Sequence, residues 1–319
     1  MARSYDVDEL VERARRGEPR AVARLISLVE DASPQLRRVM AALAPDAGRA
    51  YVVGITGSPG VGKSTTTSAI VSAYRAQGRR VGVLAVDPSS PFSGGALLGD
   101  RVRMQVHATD PEVYIRSMAS RGHLGGLAWS TPQALRVLDA AGCDVVLVET
   151  VGVGQSEVEI ASTADTTVVL LAPGMGDGIQ AAKAGILEIG DVFVVNKADR
   201  DGADATAREL RHMLTLGERP DGGWTPPVLK AVASRDEGID AVVGAIDDHR
   251  RWLEETGGLQ LRRVGRAAAE VEAIAVAAVR ARIGDLRGDA QLVALAERVV
   301  AGELDPYGAA DVLLAELGS

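Results

Sequence analysis

The sequence predicts an α/β fold built around a mostly parallel sheet. Seven short apolar runs rich in β-branched residues lie between residues 51 and 232, and they lack the polar alternation of half-exposed strands. Stretches with helical spacing of apolar residues separate these runs, which is the pattern of right-handed β–α–β units. Helical sequence without strands precedes and follows this region, so we expect helical extensions at both ends.

Composition narrows the classes of function. The 319-residue chain is 46% hydrophobic and 24% charged, so it can bury a full core and stay soluble. Its net charge of −8 argues against a general nucleic-acid binder, which would present a basic face. No apolar signal region or membrane-spanning stretch is found, so we expect a cytoplasmic protein without a membrane partner. The lone cysteine, Cys143, precedes a predicted strand and is expected to be a packed thiol.

The elements can be placed in order. Residues 6–44 predict two or three short helices, the first capped by Asp6 and another started by Ser33-Pro34. Residues 240–283 predict one or two long helices, and two more follow near 290–301 and 307–317. The strands are expected at 51–56, 81–86, 113–115, 144–149, 167–172, 191–196 and 227–232. The long helical stretch carries an apolar seam that could pack against its own domain or against a second subunit. The seam consists of Leu261, Val264, Ala268, Val271, Ala275 and Ala278.

A phosphate-binding loop is predicted at residues 57–64. Gly57, Gly62, Lys63 and Ser64 have the spacing G-x4-G-K-S between a predicted strand and a predicted helix. Glycines, Gly60 included, let backbone N–H groups approach phosphate oxygens, and the helix N-terminus favours negative charge. Lys63 can reach the β- and γ-phosphates, and Ser64 can supply a hydroxyl to Mg²⁺.

Guanine is the base that the motif NKAD predicts. Asp199 can accept hydrogen bonds from the ring N–H and the amino group of guanine, a donor pair that adenine lacks. Each such charged hydrogen bond contributes about 1.5–3 kcal/mol to discrimination. Asn196 is expected to connect neighbouring loops, and the Lys197 stem to cover the ring. The loop 232–239 could offer the N–H of Ala233 or Ser234 to the guanine carbonyl, with a plain turn as the alternative.

Three acids are placed to help hold Mg²⁺, which prefers octahedral oxygen ligands. Asp87 and Glu149 end predicted strands, where open α/β sheets bind ligands, and Asp100 lies in a glycine-rich loop. Gly152 is a candidate sensor of the γ-phosphate. Gln155 or Ser156 could orient the attacking water. Four loop arginines could stabilise the transition state, bind the partner or be plain surface charges; they are Arg101, Arg103, Arg116 and Arg121.

Several longer motifs stand in one order: GSPGVGKST, VDPSSPFSGGALLGDRVRM, RSMASRGHLGG, ETVGVGQSE, PGMGDGIQAAKAGI and NKAD. Together they resemble the MeaB/ArgK family, the GTPase chaperones of adenosylcobalamin-dependent methylmalonyl-CoA mutase. The resemblance spans roughly residues 50–240. It implies a P-loop NTPase fold with an N-terminal helical extension (1–48), a GTPase domain (49–255) and a C-terminal helical dimerisation arm (256–319).

The resemblance also implies a function and a set of sites. The protein would be a homodimeric, Mg²⁺-dependent GTPase that forms GDP and phosphate. It would hydrolyse GTP faster in the presence of the mutase or a related acyl-CoA mutase. It would also gate delivery and release of the mutase cofactor. The segment Gly174–Lys183 would sense the partner, and Val232 departs from the serine usual in relatives. The residues implied to contact the phosphates are Gly57, Ser58, Pro59, Gly60, Val61, Gly62, Lys63, Ser64 and Thr65. The residues implied to contact the metal are Ser64, Asp87, Asp100 and Glu149. The residues implied to contact the base are Asn196, Lys197, Asp199, Val232, Ala233 and Ser234.

Three other functions stay open. A metal-insertion GTPase of the same wider group would carry cysteine or histidine clusters, but this chain has one cysteine and four scattered histidines. A kinase acting on a transport protein would need a site for the phosphate acceptor, and no motif in the sequence indicates one. A nucleotide-gated adaptor would bind GTP without needing to hydrolyse it.

Overall fold

The structure is a computed structural model that describes residues 6–87, 104–119, 130–150, 156–174, 185–216, 222–283 and 290–317. The chain divides into two compact units, Met1–Arg263 and Val264–Ser319. In chain order the described elements are α1 (Val7–Arg15), α2 (Pro19–Glu30), α3 (Leu36–Leu43), β1 (Tyr51–Thr56), α4 (Lys63–Ala76), β2 (Val81–Asp87), β3 (Val113–Ala119), α5 (Thr131–Ala140), β4 (Val145–Glu149), α6 (Ser156–Thr163), β5 (Thr166–Leu171), α7 (Ile186–Ile189), β6 (Val192–Val195), α8 (Ala203–Leu216), β7 (Val228–Lys230), α9 (Ile239–Thr256), α10 (Gly258–Ile283), α11 (Ala290–Val300) and α12 (Pro306–Leu317).

The described strands form one sheet in the order β3-β2-β4-β1-β5-β6-β7, and every pairing in it is parallel. The prediction of an α/β fold around a mostly parallel sheet is therefore confirmed. β1 lies at the centre, between β4 and β5, and all three strands are buried along their whole length. Because the strands are parallel, their carboxyl ends meet at one edge, which we call the carboxyl edge of the sheet.

Helices cover both faces of the sheet, and successive strand residues point to opposite cores. Val52 and Val146 belong to a core shared with α1, α2, α3 and α5. Their neighbours Val53 and Leu147 belong to a second core shared with α4 and α9. Burial on both faces explains why these strands are continuously apolar in the sequence.

Several element boundaries differ from the prediction: β7, for example, spans only Val228–Lys230, and both the end of β3 and the start of α3 are shifted. Strand β3 continues to Ala119, beyond the apolar run VYI, because residues 116–119 stay in register with Leu84–Asp87 of β2, and Arg116 in this extension bonds Glu30 of α2. Helix α3 begins at Leu36, so Ser33-Pro34 precedes the helix instead of starting it. The Ser33 hydroxyl accepts the Gln35 N–H at 3.3 Å in a turn that leads into the helix. The capping of α1 by Asp6 is confirmed, since its carboxylate accepts the Asp8 N–H.

A buried polar cluster lies at the amino-terminal end of strands β5 and β6. The Asp191 carboxylate accepts the Thr167 N–H at 2.8 Å and two hydrogen bonds from Arg262 at 2.9 and 3.0 Å. His249 has no exposed surface; its Nδ1 lies 2.8 Å from Thr166 Oγ1, and its Nε2 lies 3.3 Å from Asp191 Oδ1, outside hydrogen-bonding geometry. Burial lowers the pKa of His249 to about 4, although the Asp191 carboxylate opposes the shift.

The second unit consists of α10 from Val264 onward, α11 and α12. Its two last helices pack through Leu295, Ala309 and Leu313. In the part of the chain that the structure describes, most of the seam predicted along α10 is exposed, with Val264 at 55% and Val271 at 66%. Among the described residues, no helix combines the length and the apolar content needed to cross a bilayer.

Candidate functional site

The predicted phosphate loop joins β1 to α4 at the centre of the carboxyl edge. Gly57, Gly60 and Gly62 have φ angles of 139°, 82° and 98°, which favour glycine. A Cβ at Gly57 would lie 2.3 Å from the Leu170 carbonyl oxygen, and one at Gly62 would lie 2.5 Å from Asn196 Nδ2. Gly57 and Gly62 are therefore required both by the backbone conformation and by the space around them, whereas Gly60 is favoured by its backbone conformation alone.

Lys63 is the first residue of α4 and is largely buried. Its Nζ donates to the carbonyl oxygens of Gly57 at 2.8 Å and Ser58 at 3.2 Å, which holds the ammonium against the loop. The positive end of α4 adds to this charge, so the loop favours an anion. Of the other predicted loop residues, Val61 is buried, while the exposed ones are Pro59, Gly60 and Thr65.

Glu149 ends β4 and lies in register between Ile55 of β1 and Ala85 of β2. The residue is only 4% exposed. Ser64 Oγ donates to Glu149 Oε1 at 2.7 Å, and Thr67 Oγ1 donates to Glu149 Oε2 at 2.9 Å. The strand-end acid and the phosphate-loop hydroxyl predicted for the metal are thus brought together. Thr67 was not identified from the sequence.

A hydroxyl oxygen beside a buried carboxylate fits Mg²⁺, a hard cation that takes oxygen ligands. Asp87 is the last residue of β2, two positions beyond the residue that pairs with Glu149, and its side chain lies outside the described residues. Arg116 is described, and it pairs with Glu30 in the N-terminal helices. The remaining predictions that fall outside the described residues are those for Asp100, Arg101, Arg103, Arg121, Gly152, Gln155, the Ser156 side chain and most of Gly174–Lys183.

Asn196, the chain's only asparagine, follows β6 and is buried. Its Nδ2 donates to the Val61 carbonyl oxygen at 2.8 Å, and its Oδ1 accepts the Ala233 N–H at 3.1 Å. The predicted connection between neighbouring loops is confirmed by these two bonds. Lys197, with a φ of 56°, adds a third link because its Nζ donates to the Gly60 carbonyl oxygen at 2.6 Å.

Asp199 is exposed on the same loop, and its Oδ2 accepts a hydrogen bond from Arg235 Nη2 at 3.1 Å. Arg235 ends the short 3₁₀ turn Ala233–Arg235 and was not identified from the sequence. In the preceding segment Val232 is buried and donates its N–H to the Glu237 carbonyl oxygen at 2.9 Å, whereas Ser234 is exposed. The Ala233 N–H donates to Asn196, and the N–H groups of Arg235 and Asp236 donate within the turn, so the Ser234 N–H is the better placed donor for a ligand.

Comparison with known proteins gives the following similarities. Residues 22–286 match the family described as "Methylmalonyl Co-A mutase-associated GTPase MeaB". A protein of Pyrococcus abyssi, named provisionally as a GTPase, is 49% identical over 98% of this chain and 97% of its own. The mouse mitochondrial "Methylmalonic aciduria type A homolog" is 34% identical over 97% of this chain and 79% of its own. A crystal structure described as "LAO/AO transport system kinase" has a TM-score of 0.75 and 28% identity, and the match covers 98% of each chain.

Proposed function

The chain belongs to the MeaB family of methylmalonyl-CoA mutase-associated GTPases, and from that premise we propose that its GTP hydrolysis serves an adenosylcobalamin-dependent methylmalonyl-CoA mutase. In this proposal the protein acts as a chaperone that gates delivery of the mutase cofactor and protects and reactivates the mutase. The family match over residues 22–286 is the observation that carries it. The name of the mouse relative points to the same metabolism.

The phosphate loop would hold the nucleotide through the backbone N–H groups of residues 57–65. The Lys63 ammonium, now bonded to two loop carbonyls, would turn to the β- and γ-phosphates and stabilise the charge that develops there. Gly152 would offer its N–H to the γ-phosphate. Each of these contacts acts on negative charge, so binding and charge stabilisation come from the same groups.

The metal would be held by Ser64 together with the acids Asp87, Asp100 and Glu149. Mg²⁺, when bound, would neutralise charge on the β- and γ-phosphate oxygens. The part of this set that the structure describes supports the assignment, because the Ser64 hydroxyl already donates to the buried Glu149 carboxylate. Ser64 would therefore present its hydroxyl oxygen to the metal while the hydroxyl proton stays hydrogen-bonded to Glu149.

The base would lie between the loops that Asn196 connects. Asp199 would accept from the ring N–H and amino group of guanine, and the Lys197 stem would cover the ring. Val232 would shape the floor of this loop, and the carbonyl oxygen of guanine would take the N–H of Ser234 or Ala233. Because the Asn196 bonds join this region to the phosphate loop, base and phosphates would be recognised by one connected structure.

The exposed seam of α10 supports a homodimer formed by the C-terminal arm, residues 256–319. Val264 and Val271 face solvent in the single chain, and apolar residues at this spacing are typical of helix pairing. The GTPase domain would then comprise residues 49–255, with residues 1–48 as its helical extension. Sedimentation of the full chain should give a dimer, and a monomer would contradict this part.

The test combines hydrolysis with partner capture. Phosphate release from GTP should accelerate when a purified adenosylcobalamin-dependent mutase from the same source is added. Lys63→Ala should abolish release in both conditions. The wild-type chain, loaded with a non-hydrolysable GTP analogue, should also retain that mutase on an affinity column. GTP turnover that ignores the mutase, together with no retention, would refute the chaperone proposal and leave a GTPase with another partner.

A further inference from the structure

Two hydroxyl groups on α4 hold one buried carboxylate. Ser64 and Thr67 stand three residues apart, so their side chains lie on the same face of the helix. Each donates to a different oxygen of Glu149, at 2.7 and 2.9 Å. The three residues are 6%, 0% and 4% exposed, in the order Ser64, Thr67, Glu149, so water competes little for these bonds.

The backbone of Glu149 is fixed independently of these hydroxyls. It lies in register between β1 and β2, and the next residue, Thr150, donates its N–H to the Ile55 carbonyl oxygen at 3.1 Å. The remaining freedom is that of the glutamate side chain, which has three rotatable bonds. A hydrogen bond at each carboxylate oxygen removes this freedom and sets which oxygen faces Ser64.

The orientation of the Ser64 hydroxyl follows from that arrangement. A hydroxyl has one proton and two lone pairs. With the proton donated to Glu149 Oε1, the lone pairs of Ser64 Oγ are directed elsewhere and are the part of the group able to bind a cation. Glu149 can therefore act through Ser64, by accepting its proton.

We propose that Thr67 is a positioning residue of the metal site, which fixes Glu149 so that this acid orients the Ser64 hydroxyl toward Mg²⁺. The inference rests on the function proposed above and adds a residue outside the phosphate-loop motif. Thr67 Oγ1 also lies 3.0 Å from the Lys63 carbonyl oxygen. Its single proton forms the stronger hydrogen bond with the Glu149 carboxylate, because that acceptor is charged.

The adjacent residue provides a matched control. Thr66 is also fully buried on α4, and its hydroxyl donates to the Gly62 carbonyl oxygen at 3.0 Å, four residues back. Threonines often make this bond within helices. If Thr67 served the helix in the same way, then replacing either hydroxyl would have the same effect.

The experiment measures binding of a fluorescent GDP analogue to the full chain while Mg²⁺ is titrated. Thr67→Val removes the hydroxyl at constant volume, and it should raise the Mg²⁺ concentration at half-saturation about tenfold, the effect of losing one hydrogen bond to a charged group. Thr66→Val should change it less than twofold. Equal Mg²⁺ midpoints in the two variants would overturn the inference.

Folding of the variants is checked by thermal unfolding. If Thr67→Val does not unfold cooperatively, Thr67→Ser and Thr67→Ala replace it: the serine should keep the wild-type Mg²⁺ midpoint and the alanine should shift it. The same midpoint in both would overturn the role of the hydroxyl. A wild-type chain that binds ADP as well as GDP, or that ignores Mg²⁺, would instead refute the proposed function.

Discussion

Replacing Asn196 by alanine should destabilise the protein before any nucleotide is added. Its amide makes two buried hydrogen bonds, from Nδ2 to the Val61 carbonyl oxygen at 2.8 Å and from the Ala233 N–H to Oδ1 at 3.1 Å. Each bond contributes about 1 kcal/mol, and each group left without its partner costs about 1–3 kcal/mol. Because such terms are not additive, we expect a total loss of about 2–4 kcal/mol in the free energy of unfolding.

A second substitution separates the two bonds. Asn196→Asp keeps the acceptor for the Ala233 N–H, but it places a carboxylate oxygen against the Val61 carbonyl oxygen. Two acceptors then face each other in a buried site, so the loss should be at least as large as in the alanine variant. A role limited to base contact would give no such penalty in the absence of nucleotide.

The assay is urea unfolding of each variant with and without GDP and Mg²⁺. GDP at one hundred times its Kd should stabilise the wild-type chain by about 2.7 kcal/mol. The same GDP concentration should stabilise Asn196→Ala less, because the loops around base and phosphates are no longer joined. A stability of Asn196→Ala without nucleotide within about 0.5 kcal/mol of wild type would refute the reasoning.

Three further predictions concern charged groups. Between pH 6.5 and about 4 the unfolded chain binds a proton at His249 that the folded chain excludes, so stability should fall by about 1.4 kcal/mol per pH unit as the pH drops through this window. Urea unfolding at pH 7 and 5.5 should show a smaller pH effect in His249→Gln than in the variant of an exposed histidine, His212→Gln, and equal effects would contradict the assignment. Arg235→Ala should weaken GDP binding by about two- to fivefold, because the exposed ion pair that orients Asp199 contributes under about 1 kcal/mol. Arg200→Ala, on the same loop as Asp199, should leave GDP binding unchanged. Tighter GDP binding in Arg235→Ala would argue against a role of Arg235 in orienting Asp199. Asp199→Asn should shift the preference from guanine to xanthine nucleotides by about tenfold or more in competition binding, and unchanged selectivity would remove its proposed role.

The sheet could be predicted from the sequence because its strands are covered on both faces. Such strands are apolar without interruption, and that pattern is legible in a single chain. The extension of β3 begins with a charged residue, because Arg116 reaches across to Glu30 in α2. A pairing between residues so distant in the chain leaves no local signal, so the strand is longer than the sequence indicates.

The same limit separates the residues found at the site from those missed. Gly57, Lys63 and Asn196 stand in motifs whose spacing is fixed by local backbone geometry. Thr67 and Arg235 gain their meaning from the register of α4 against β4 and from the approach of two loops. Such contacts depend on how the elements pack, which the order of residues does not show.

The central place of β1 has a consequence for synthesis of the chain. Its neighbours are β4 and β5, both made much later, so the first strand to leave the ribosome has no partner until Val145–Glu149 have emerged, and its second partner, Thr166–Leu171, follows later still. At ordinary rates of translation this delay is on the order of ten seconds. Throughout that time an apolar segment with unpaired backbone groups is open to aggregation. The nascent chain therefore depends on its own early helices, or on cellular chaperones, to shield the strand that later carries the phosphate loop.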